Sequence, residues 1–466
     1  MNSRVERDEL GSMELPEDAL YGLEAARARE NFDLGGAPVN PRLVSAIVTV
    51  KKAAAITFAR LTEKGRLPPR RNAGEIAEAE KFRAIAAACD RLLAGEARDQ
   101  FITPALQGGA GTSTNMNVNE VLANLALVIL GKKPGDYSSV HPLDDVNRYQ
   151  STNDVYPTAL RIAAIGLLRE LSDECAHLQE ALQKKENEYG EIVKLGRTEL
   201  MDAAPVTLGG EFGSYAQAIA RDRWRLYKVE ERLRQVNLGG AAVGLYAPAG
   251  KSAELAAIRA YRHGVIEELR EMTGMGLAAA EYPMDLTQNN DVFVEVSGLL
   301  KALAVNLSKI AGDFRLMNSG PRGGLGEIRL APLQKGSTAM AGKVNPVIPE
   351  MTIQAGIRVA ANDMAIGMAA ARGEFELNAF TPLIADALLD SLGILSRCCR
   401  LFREKCVETL RPDPERCAAL LESSWAFAVS WVPVLGYEAV SRVVAEYREA
   451  PDAAARIRRE LETLAR

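Results

Sequence analysis

Long stretches with helical periodicity fill most of this chain and restrict its fold more than any other feature. In each stretch apolar residues recur every three to four positions, as on the buried face of an amphipathic helix. The stretches are residues 41–64, 73–93, 118–131, 158–193, 207–238, 252–274, 288–318, 347–371 and 381–409. Several exceed ~25 residues, and apolar faces of that length bury against each other or against another subunit. Strand-like alternation is limited to possible short hairpins in the first and last segments. The sequence therefore predicts an all-α fold around a bundle of long helices.

Composition agrees with helix and excludes several classes of function. Ala, Leu, Glu and Arg are abundant, and these residues lose little rotamer freedom in a helix. The net charge of −5 and the lack of a basic stripe argue against nucleic-acid binding. The N-terminus lacks a secretory hydrophobic region, and no apolar run approaches the ~18 residues of a membrane span. We expect a soluble, cytoplasmic protein with no nucleic-acid or membrane partner.

Cysteine and histidine usage argues against a metal site. The six cysteines show no CxxC spacing and no histidine partners, and the chain has only three histidines, His141, His177 and His263. Structural and catalytic zinc sites need such ligands at close spacing. We expect no metal site, and we expect the adjacent Cys398 and Cys399 to be reduced core residues.

One polar loop lies between two predicted helices at residues 335–346, with the sequence KGSTAMAGKVNP. Gly336 and Gly342 allow backbone conformations that other residues resist. Hydroxyls, backbone N–H groups, Lys343 and Asn345 offer donors and one cation to an anion. The alternative is an ordinary interhelical loop with a structural proline, and the loop alone does not decide between the two.

Three more polar clusters precede predicted helices, at residues 108–120, 141–154 and 196–203. Hydroxyls and free N–H groups at a helix start form an anion site, although a single cluster is more often a simple N-cap. All four clusters are rich in hydroxyls, amides and single cations but poor in nucleophiles and metal ligands. Together they suggest a pocket for a dicarboxylate. Such a pocket suits proton abstraction next to a carboxylate, because preorganised donors stabilise the charge of the enediolate.

These clusters closely resemble the motifs of the aspartase/fumarase superfamily. GSTAMAGKVNP (336–346) is similar to its signature GSSxMPxKxNP, and GGAGTSTNMNVNE (108–120) to its first conserved region. HPLDDVNRYQSTND (141–154) and GRTELMDAAPVTLGGEF (196–212) resemble its second. The opening LGSMELPEDALYGLEAARARENF also looks like the N-terminus of aspartases and class II fumarases.

The resemblance implies an all-α, three-domain lyase: an N-terminal domain at 1–137, a central helical-bundle domain at 138–395 and a small helical domain at 396–466. It implies a homotetramer with a core of about twenty helices, whose active sites each draw on three subunits. It also implies no metal or redox cofactor. The reaction would be an anti-elimination from a 2-substituted succinate, giving fumarate.

The resemblance also assigns roles residue by residue. Ser337 matches the catalytic base on a mobile loop, where a serine has to act as an alkoxide stabilised by N–H groups. Lys343 and Asn345 match the residues that bind the α-carboxylate. The remaining substrate-binding matches are Thr112, Ser151, Thr152 and Thr338 for the β-carboxylate, Asn153 and Thr198 near the leaving group, and Ser113. For each, the alternative is a capping or loop-stabilising role.

The most informative departure from the family pattern is Glu199. Fumarases and some aspartases have His at this position, and other aspartases have Gln. Glu350 matches the family glutamate that partners it, so the catalytic candidates Glu199 and Glu350 are expected to face each other. One carboxyl pKa should then rise unless a cation, such as an ammonium leaving group, lies between them. This favours a C–N lyase acting on aspartate or a close relative over a hydratase.

Other interpretations stay open. A protonated Glu199 could itself be the general acid, and the leaving group could be water, nitrite or a substituted amine. A non-catalytic scaffold, as in the lens crystallins related to this superfamily, is disfavoured because Ser337 is retained. Leu143, where Asn is usual, suggests that the family's secondary dicarboxylate site near His141 is weakened.

Overall fold

The structure is a computed structural model that describes residues 3–68, 76–245 and 252–466. Those residues are mainly helical, and their strands form only two-stranded sheets, which confirms the all-α class. The strands are β1 (Ser3–Asp8), β2 (Gly11–Pro16), β3 (Val193–Thr198), β4 (Met201–Thr207), β5 (Gln235–Val236), β6 (Ala278–Ala279), β7 (Ile328–Arg329) and β8 (Arg411–Pro412).

The helices agree with the predicted stretches to within a few residues at most ends. They are α1 (Leu23–Asn31), α2 (Pro41–Glu63), α3 (Glu78–Leu93), α4 (Thr112–Ile129), α5 (Thr152–Glu188), α6 (Leu208–Leu233), α7 (Ser252–Thr273), α8 (Pro283–Gln288), α9 (Asp291–Met317), α10 (Val347–Ala370), α11 (Thr381–Phe402), α12 (Pro414–Glu422), α13 (Val432–Leu435), α14 (Tyr437–Tyr447) and α15 (Ala453–Leu464). The predicted helix start at residue 73 lies outside the described residues.

The chain forms two compact units, each made of three segments. The first unit comprises Met1–Arg169, Leu226–Leu300 and Ala360–Gly393, and the second comprises Glu170–Arg225, Lys301–Val359 and Ile394–Arg466. The division falls inside five long helices of the predicted central domain, α5, α6, α9, α10 and α11. The three-domain division at residues 137 and 395 stays a prediction.

Within the first unit these helices pack through polar as well as apolar contacts. The guanidinium of the buried Arg161 on α5 lies 4.9 Å from the ring centroid of Phe293 on α9. Ser297 on α9 donates to Asp363 on α10 at 2.8 Å, and Asn362 on α10 donates to Asp390 on α11 at 3.0 Å. Since a buried polar group is costly without a partner, these bonds specify which helices are neighbours.

Within the second unit an aromatic chain joins three of the same helices. The ring centroids of Phe212 on α6 and Phe314 on α9 are 5.4 Å apart, and Phe402 on α11 lies 5.4 Å from Phe314. Cys175 on α5 contacts Cys399 on α11 with 4.0 Å between the sulfurs. All six cysteines are free and buried, including Cys398 and Cys399, for which this was predicted. The long helices therefore form a bundle in each unit taken by itself.

In the middle of the chain, two strands occur where none was predicted. The N-terminal hairpin β1–β2 is present as expected, but residues 196–203 do not simply open a helix. They belong to the antiparallel hairpin β3–β4, whose two-residue turn is Glu199–Leu200. Both turn residues have positive φ, 54° and 67°, as a type I′ turn requires. The usual Asn-Gly or Asp-Gly signal of such a turn is missing, which is why the hairpin was not predicted.

No single helix in the described ranges is long and apolar enough to cross a membrane. One pair bent by 70°, Pro414–Glu422 with Ala426–Leu435, meets the same length and composition test.

Candidate active site

The first predicted cluster forms the start of α4. The chain enters this helix through Ala110 and Gly111, both with positive φ. A Cβ on Gly111 would lie 2.4 Å from the ring of Tyr156, so only glycine fits there. Thr112 is the first residue of α4, and its hydroxyl donates to the Gly109 carbonyl at 2.7 Å. Thr112 is exposed and Ser113 is half-buried, so both can be reached by a ligand.

The second cluster forms the start of α5 as a capping box. The Ser151 hydroxyl accepts a hydrogen bond from the N–H of Asn153 at 3.2 Å. The carboxylate of Asp154 accepts the N–H of Ser151 at 2.9 Å. Reciprocal caps of this kind fix the first helical turn, so Ser151, Thr152 and Asn153 are held in one orientation at the helix N-terminus, which favours anions.

The starts of α4 and α5 meet through a buried hydrogen bond. Asn115, one turn into α4, donates from Nδ2 to Oγ1 of Thr152 at 3.3 Å. Both residues are buried. The structure thus brings Thr152, one of the residues predicted to bind a carboxylate, next to the first turn of α4.

A segment that sequence reasoning missed, residues 237–245, is tied to the start of α5. Asp154 Oδ2 accepts the N–H groups of Gly239 and Ala241, each at 2.9 Å. Asn153 Nδ2 donates to the Ala242 carbonyl at 2.8 Å, and Asn237 Nδ2 donates to the Asn153 carbonyl at 2.9 Å. Burial raises the pKa of Asp154 to about 6, although the hydrogen bonds from backbone N–H groups oppose that shift.

In the second unit, the polar loop at 336–346 closes on itself. The N–H of Gly336 donates to the Lys343 carbonyl at 3.0 Å, and Asn345 Nδ2 donates to the Gly336 carbonyl at 2.7 Å. A Cβ at position 336 would lie 2.3 Å from the Lys343 oxygen, so the close approach requires glycine. Gly342 has a φ of +76°. The predicted role of the glycines in shaping the loop agrees with this geometry.

The Ser337 hydroxyl oxygen accepts two backbone hydrogen bonds inside this loop. The donors are the N–H groups of Ala339, at 3.1 Å, and Met340, at 2.9 Å. Hydrogen bonds donated to an oxygen stabilise its anionic form. The loop therefore already contains the kind of N–H pair that a serine alkoxide needs. Thr338 and Lys343 are exposed beside it, and Asn345 is half-buried.

Buried ion pairs support the β3–β4 hairpin that carries Thr198 and Glu199. The fully buried Glu327 lies 2.9 Å from Lys194 Nζ and 2.8 Å from Arg197 Nη1, both on β3. Lys194 also contacts the carboxylate of Glu211 at 2.9 Å. Thr198 and Glu199 are exposed at the end of the hairpin, which places the Glu199 carboxylate at the surface of this unit.

Within one chain, Glu350, the predicted partner of Glu199, forms an ion pair with Arg315. Glu350 lies in the first turn of α10, and Arg315 Nη2 is 3.8 Å from its carboxylate. Both Arg315 and Glu350 are partly exposed, so this ion pair is worth little by itself. The facing of Glu199 and Glu350 stays a prediction.

The twelve predicted site residues fall into two sets. The first unit holds those at the starts of α4 and α5, and the second unit holds those on the hairpin, the loop and α10. His141 is used as a cap: its Nδ1 accepts the N–H groups of Leu143 and Asp144 at 3.2 and 3.1 Å. No group of three or more His, Cys, Asp or Glu side chains among the described residues could hold a metal ion.

The helix starts and the serine loop of this all-α chain present hydroxyls, amides and a lysine. These are the groups expected in a lyase that acts next to a carboxylate. Residues 11–361 match the protein-family model described as "Lyase". The chain belongs to the aspartase/fumarase superfamily and is an enzyme, a lyase.

Relatives with known names extend this result. The chain is 42% identical to aspartate ammonia-lyase of Pseudomonas aeruginosa, over 95% of this chain and 90% of that protein. It is 41% identical to aspartate ammonia-lyase of Corynebacterium glutamicum, over 96% and 81%. Among solved structures, a Brucella melitensis protein titled fumarate lyase:delta crystallin has a TM-score of 0.87 at 41% identity, covering 98% of this chain and 99% of that one. The class II fumarase of Schistosoma mansoni has the same TM-score at 28% identity, covering 99% and 96%.

Proposed function

We propose that this protein cleaves the C–N bond of L-aspartate, releasing ammonia and forming fumarate. The observation that carries the proposal is the Ser337 hydroxyl oxygen, which accepts hydrogen bonds from two backbone N–H groups of its own loop. The aspartate ammonia-lyases at about 40% identity support the choice of substrate.

In the proposed reaction, Ser337 Oγ as the alkoxide removes a proton from Cβ of aspartate. The electron pair moves onto the β-carboxylate, which becomes an enediolate. The electron pair then returns to form the Cα–Cβ double bond while the C–N bond breaks, and ammonia leaves with fumarate. The extra charge of the enediolate is the main barrier, and each well-placed donor lowers it by a few kcal/mol. The proposed donors to this carboxylate are Thr112, Ser113, Ser151, Thr152 and Thr338.

Lys343 and Asn345 bind the α-carboxylate in this proposal. The ammonium group lies toward Asn153, Thr198 and Glu199, with Glu350 as the partner of Glu199. A carboxylate at position 199 attracts a cationic amine, so the amine stays bound until the C–N bond breaks. A substituted amine fits the same position. Nitrite or water as the leaving group requires Glu199 to be protonated or turned away.

We also propose a homotetramer whose active sites combine residues from three subunits. Three large apolar side chains on α10, Ile357, Met364 and Met368, are each more than 60% exposed in the single chain. Tyr227 on α6 and Val305 on α9 are exposed to a similar extent. Apolar patches on long bundle helices favour burial against another subunit. Such an assembly would bring the two sets of site residues together across subunits.

The test is to mix the purified enzyme with L-aspartate and follow fumarate by its ultraviolet absorbance. Malate, a nitro-substituted succinate and N-substituted aspartates serve as competing substrates. Fumarate from aspartate but little from the others supports the proposal. Preference for another substituted succinate would change the proposed substrate but keep the proposed elimination. If none of these compounds gave fumarate, the proposed function would be rejected.

Ser337→Ala tests the base. We expect loss of turnover with retained binding of succinate, a non-reacting dicarboxylate. Ser214→Ala is the matched control, because Ser214 is an exposed serine on α6 whose hydroxyl donates only to the Glu211 carbonyl. Turnover by Ser337→Ala at the wild-type rate would overturn the assignment of the base.

A further inference from the structure

We propose that Asn147 is a positioning residue that fixes the direction of the Thr152 hydroxyl, so that Thr152 donates its proton to a substrate carboxylate. The inference rests on the proposed function in one respect, namely that Thr152 binds a carboxylate. Asn147 lies in the connection between the π-helical turn Pro142–Val146 and α5.

The side-chain oxygen of Asn147 accepts hydrogen bonds from three residues on two helices. Lys51 Nζ on α2 donates at 2.7 Å, Asn115 Nδ2 on α4 at 3.1 Å and Asn119 Nδ2 on α4 at 3.3 Å. The Asn147 amide group itself donates to the Gln150 carbonyl at 3.1 Å. Lys51, Asn115 and Asn119 are all at most 2% exposed. Asn147 thus joins α2, α4 and the entry to α5 through a single oxygen.

The orientation of these amides follows from what each partner can do. A lysine Nζ is a donor in both its protonation states, and a backbone carbonyl only accepts. Asn147 must therefore point its oxygen at Lys51 and its amino group at the Gln150 carbonyl. Because that oxygen can only accept, Asn115 must present its amino group there.

The same amino group of Asn115 reaches Oγ1 of Thr152 at 3.3 Å. A threonine hydroxyl has one proton and can accept as well as donate. When Asn115 donates to Oγ1, the hydroxyl proton has to point elsewhere. We infer that it points toward the carboxylate-binding side at the N-terminus of α5, where the enediolate charge develops. The series of hydrogen bonds that begins at Lys51 therefore sets the direction in which the Thr152 hydroxyl donates its proton.

Two near-isosteric substitutions separate this role from simple packing. Asn147→Asp keeps an acceptor for all three donors and loses only the hydrogen bond to the Gln150 carbonyl, whereas Asn147→Leu removes both. We expect Asn147→Leu to lower kcat/KM for L-aspartate by about 10- to 100-fold, as for other displaced catalytic donors, with a higher KM. Asn147→Asp should lose clearly less activity than Asn147→Leu, because the acceptor for Lys51, Asn115 and Asn119 is kept. A smaller folded fraction alone would lower kcat and leave KM unchanged.

A double-mutant cycle with Thr152→Val gives the decisive measurement. If Asn147 acts through Thr152, Asn147→Leu costs little further activity in the Thr152→Val background. Asn124→Ala is the control, because Asn124 is a fully buried asparagine on the same helix α4 that bonds Leu20, Gly135 and Tyr137 instead. Its effect should be on stability and should be additive with Thr152→Val.

Additive effects of Asn147→Leu and Thr152→Val, or equal losses in Asn147→Leu and Asn147→Asp, would overturn the inference. Should Asn147→Leu not fold, Asn115→Leu interrupts the same series of hydrogen bonds at its next member and carries the same prediction. The same double-mutant cycle is also measured with the binding free energy of succinate, obtained by calorimetry. It can therefore succeed or fail even if aspartate is not the substrate, which keeps the two proposals separable.

Discussion

The side-chain amide of Asn345 donates to the backbone carbonyl of Gly336 at 2.7 Å, across nine residues of the serine loop. One N–H of Asn345 is therefore used to close the loop, and its second N–H is available to a carboxylate. In the proposed function, one amide group therefore couples loop closure to substrate binding.

Asn345→Asp should consequently be a severe change although it alters few atoms. A carboxylate cannot donate to the Gly336 carbonyl, and it repels the α-carboxylate of the substrate. We expect kcat/KM to fall by about 100- to 1,000-fold, the usual cost of a lost catalytic donor. Asn318→Asp is the control, because Asn318 accepts from the Leu330 N–H through Oδ1, which Asp retains. Wild-type kinetics in Asn345→Asp would contradict the coupling.

Glu199→Gln tests the leaving-group side of the site. If an ammonium group lies beside Glu199, loss of the charge should raise KM for L-aspartate by roughly tenfold or more, since hydrogen bonds to charged groups are worth about 1.5–3 kcal/mol. The steady-state constants are compared with those of Glu191→Gln, which changes an exposed carboxylate a few residues earlier. A fall in kcat at constant KM would instead identify Glu199 as a general acid.

Glu120 predicts a pH dependence of stability that is unrelated to the site. Its buried carboxyl accepts the N–H groups of Gly22, Glu24 and Ala25 at the start of α1. Burial nevertheless raises its pKa from 4.5 to about 8. The folded state therefore retains a proton between those values, so this contribution to the free energy of unfolding is full below pH 4.5 and is lost as the pH rises through 8.

The wild-type free energy of unfolding should accordingly decrease, relative to that of Glu120→Gln, by up to about 1.4 kcal/mol per pH unit across that window. Urea unfolding at several pH values measures it, and Glu17→Gln, an exposed carboxylate near the N-terminus, provides the comparison. A constant difference between wild type and Glu120→Gln would show that Glu120 stays ionised.

Met364→Glu on α10 tests the assembly. Met364 is 68% exposed in the single chain. Burying an uncompensated charge in a subunit interface costs several kcal/mol. We expect dissociation into smaller species, seen by light scattering, together with loss of activity, because each active site of the proposed tetramer combines residues from three subunits. Leu464→Glu on α15 introduces the same charge at another exposed apolar residue and should leave the assembly intact.

Sequence alone predicted the long helices and the hydroxyl-rich clusters near the starts of α4 and α5, although these two helices begin at Thr112 and Thr152 rather than at the predicted 118 and 158. Both are local patterns: apolar periodicity predicts α5 or α9, and the run Ser151–Asp154 contains both halves of its own capping box. The serine loop was also contiguous, so its glycines and donors were visible together.

What could not be predicted depends on residues far apart in the chain. Lys51 and Asn147 are separated by 96 positions, and Asn115 and Thr152 by 37. Amides and lysines are common on helices, and no spacing rule marks those that meet in the core. The β3–β4 hairpin was missed because a glutamate and a leucine occupy turn positions that usually need glycine or asparagine.

That hairpin has a consequence for the evolution of substrate choice. Its backbone is determined by strand pairing and by the ion pairs of Lys194 and Arg197 with Glu327, and the side chain at position 199 contributes nothing to those contacts. A residue that carries no structural duty can be exchanged without disturbing its surroundings. If position 199 faces the leaving group as proposed, a single substitution there can change the leaving group of a lyase of this kind while the residues proposed for proton removal stay as they are.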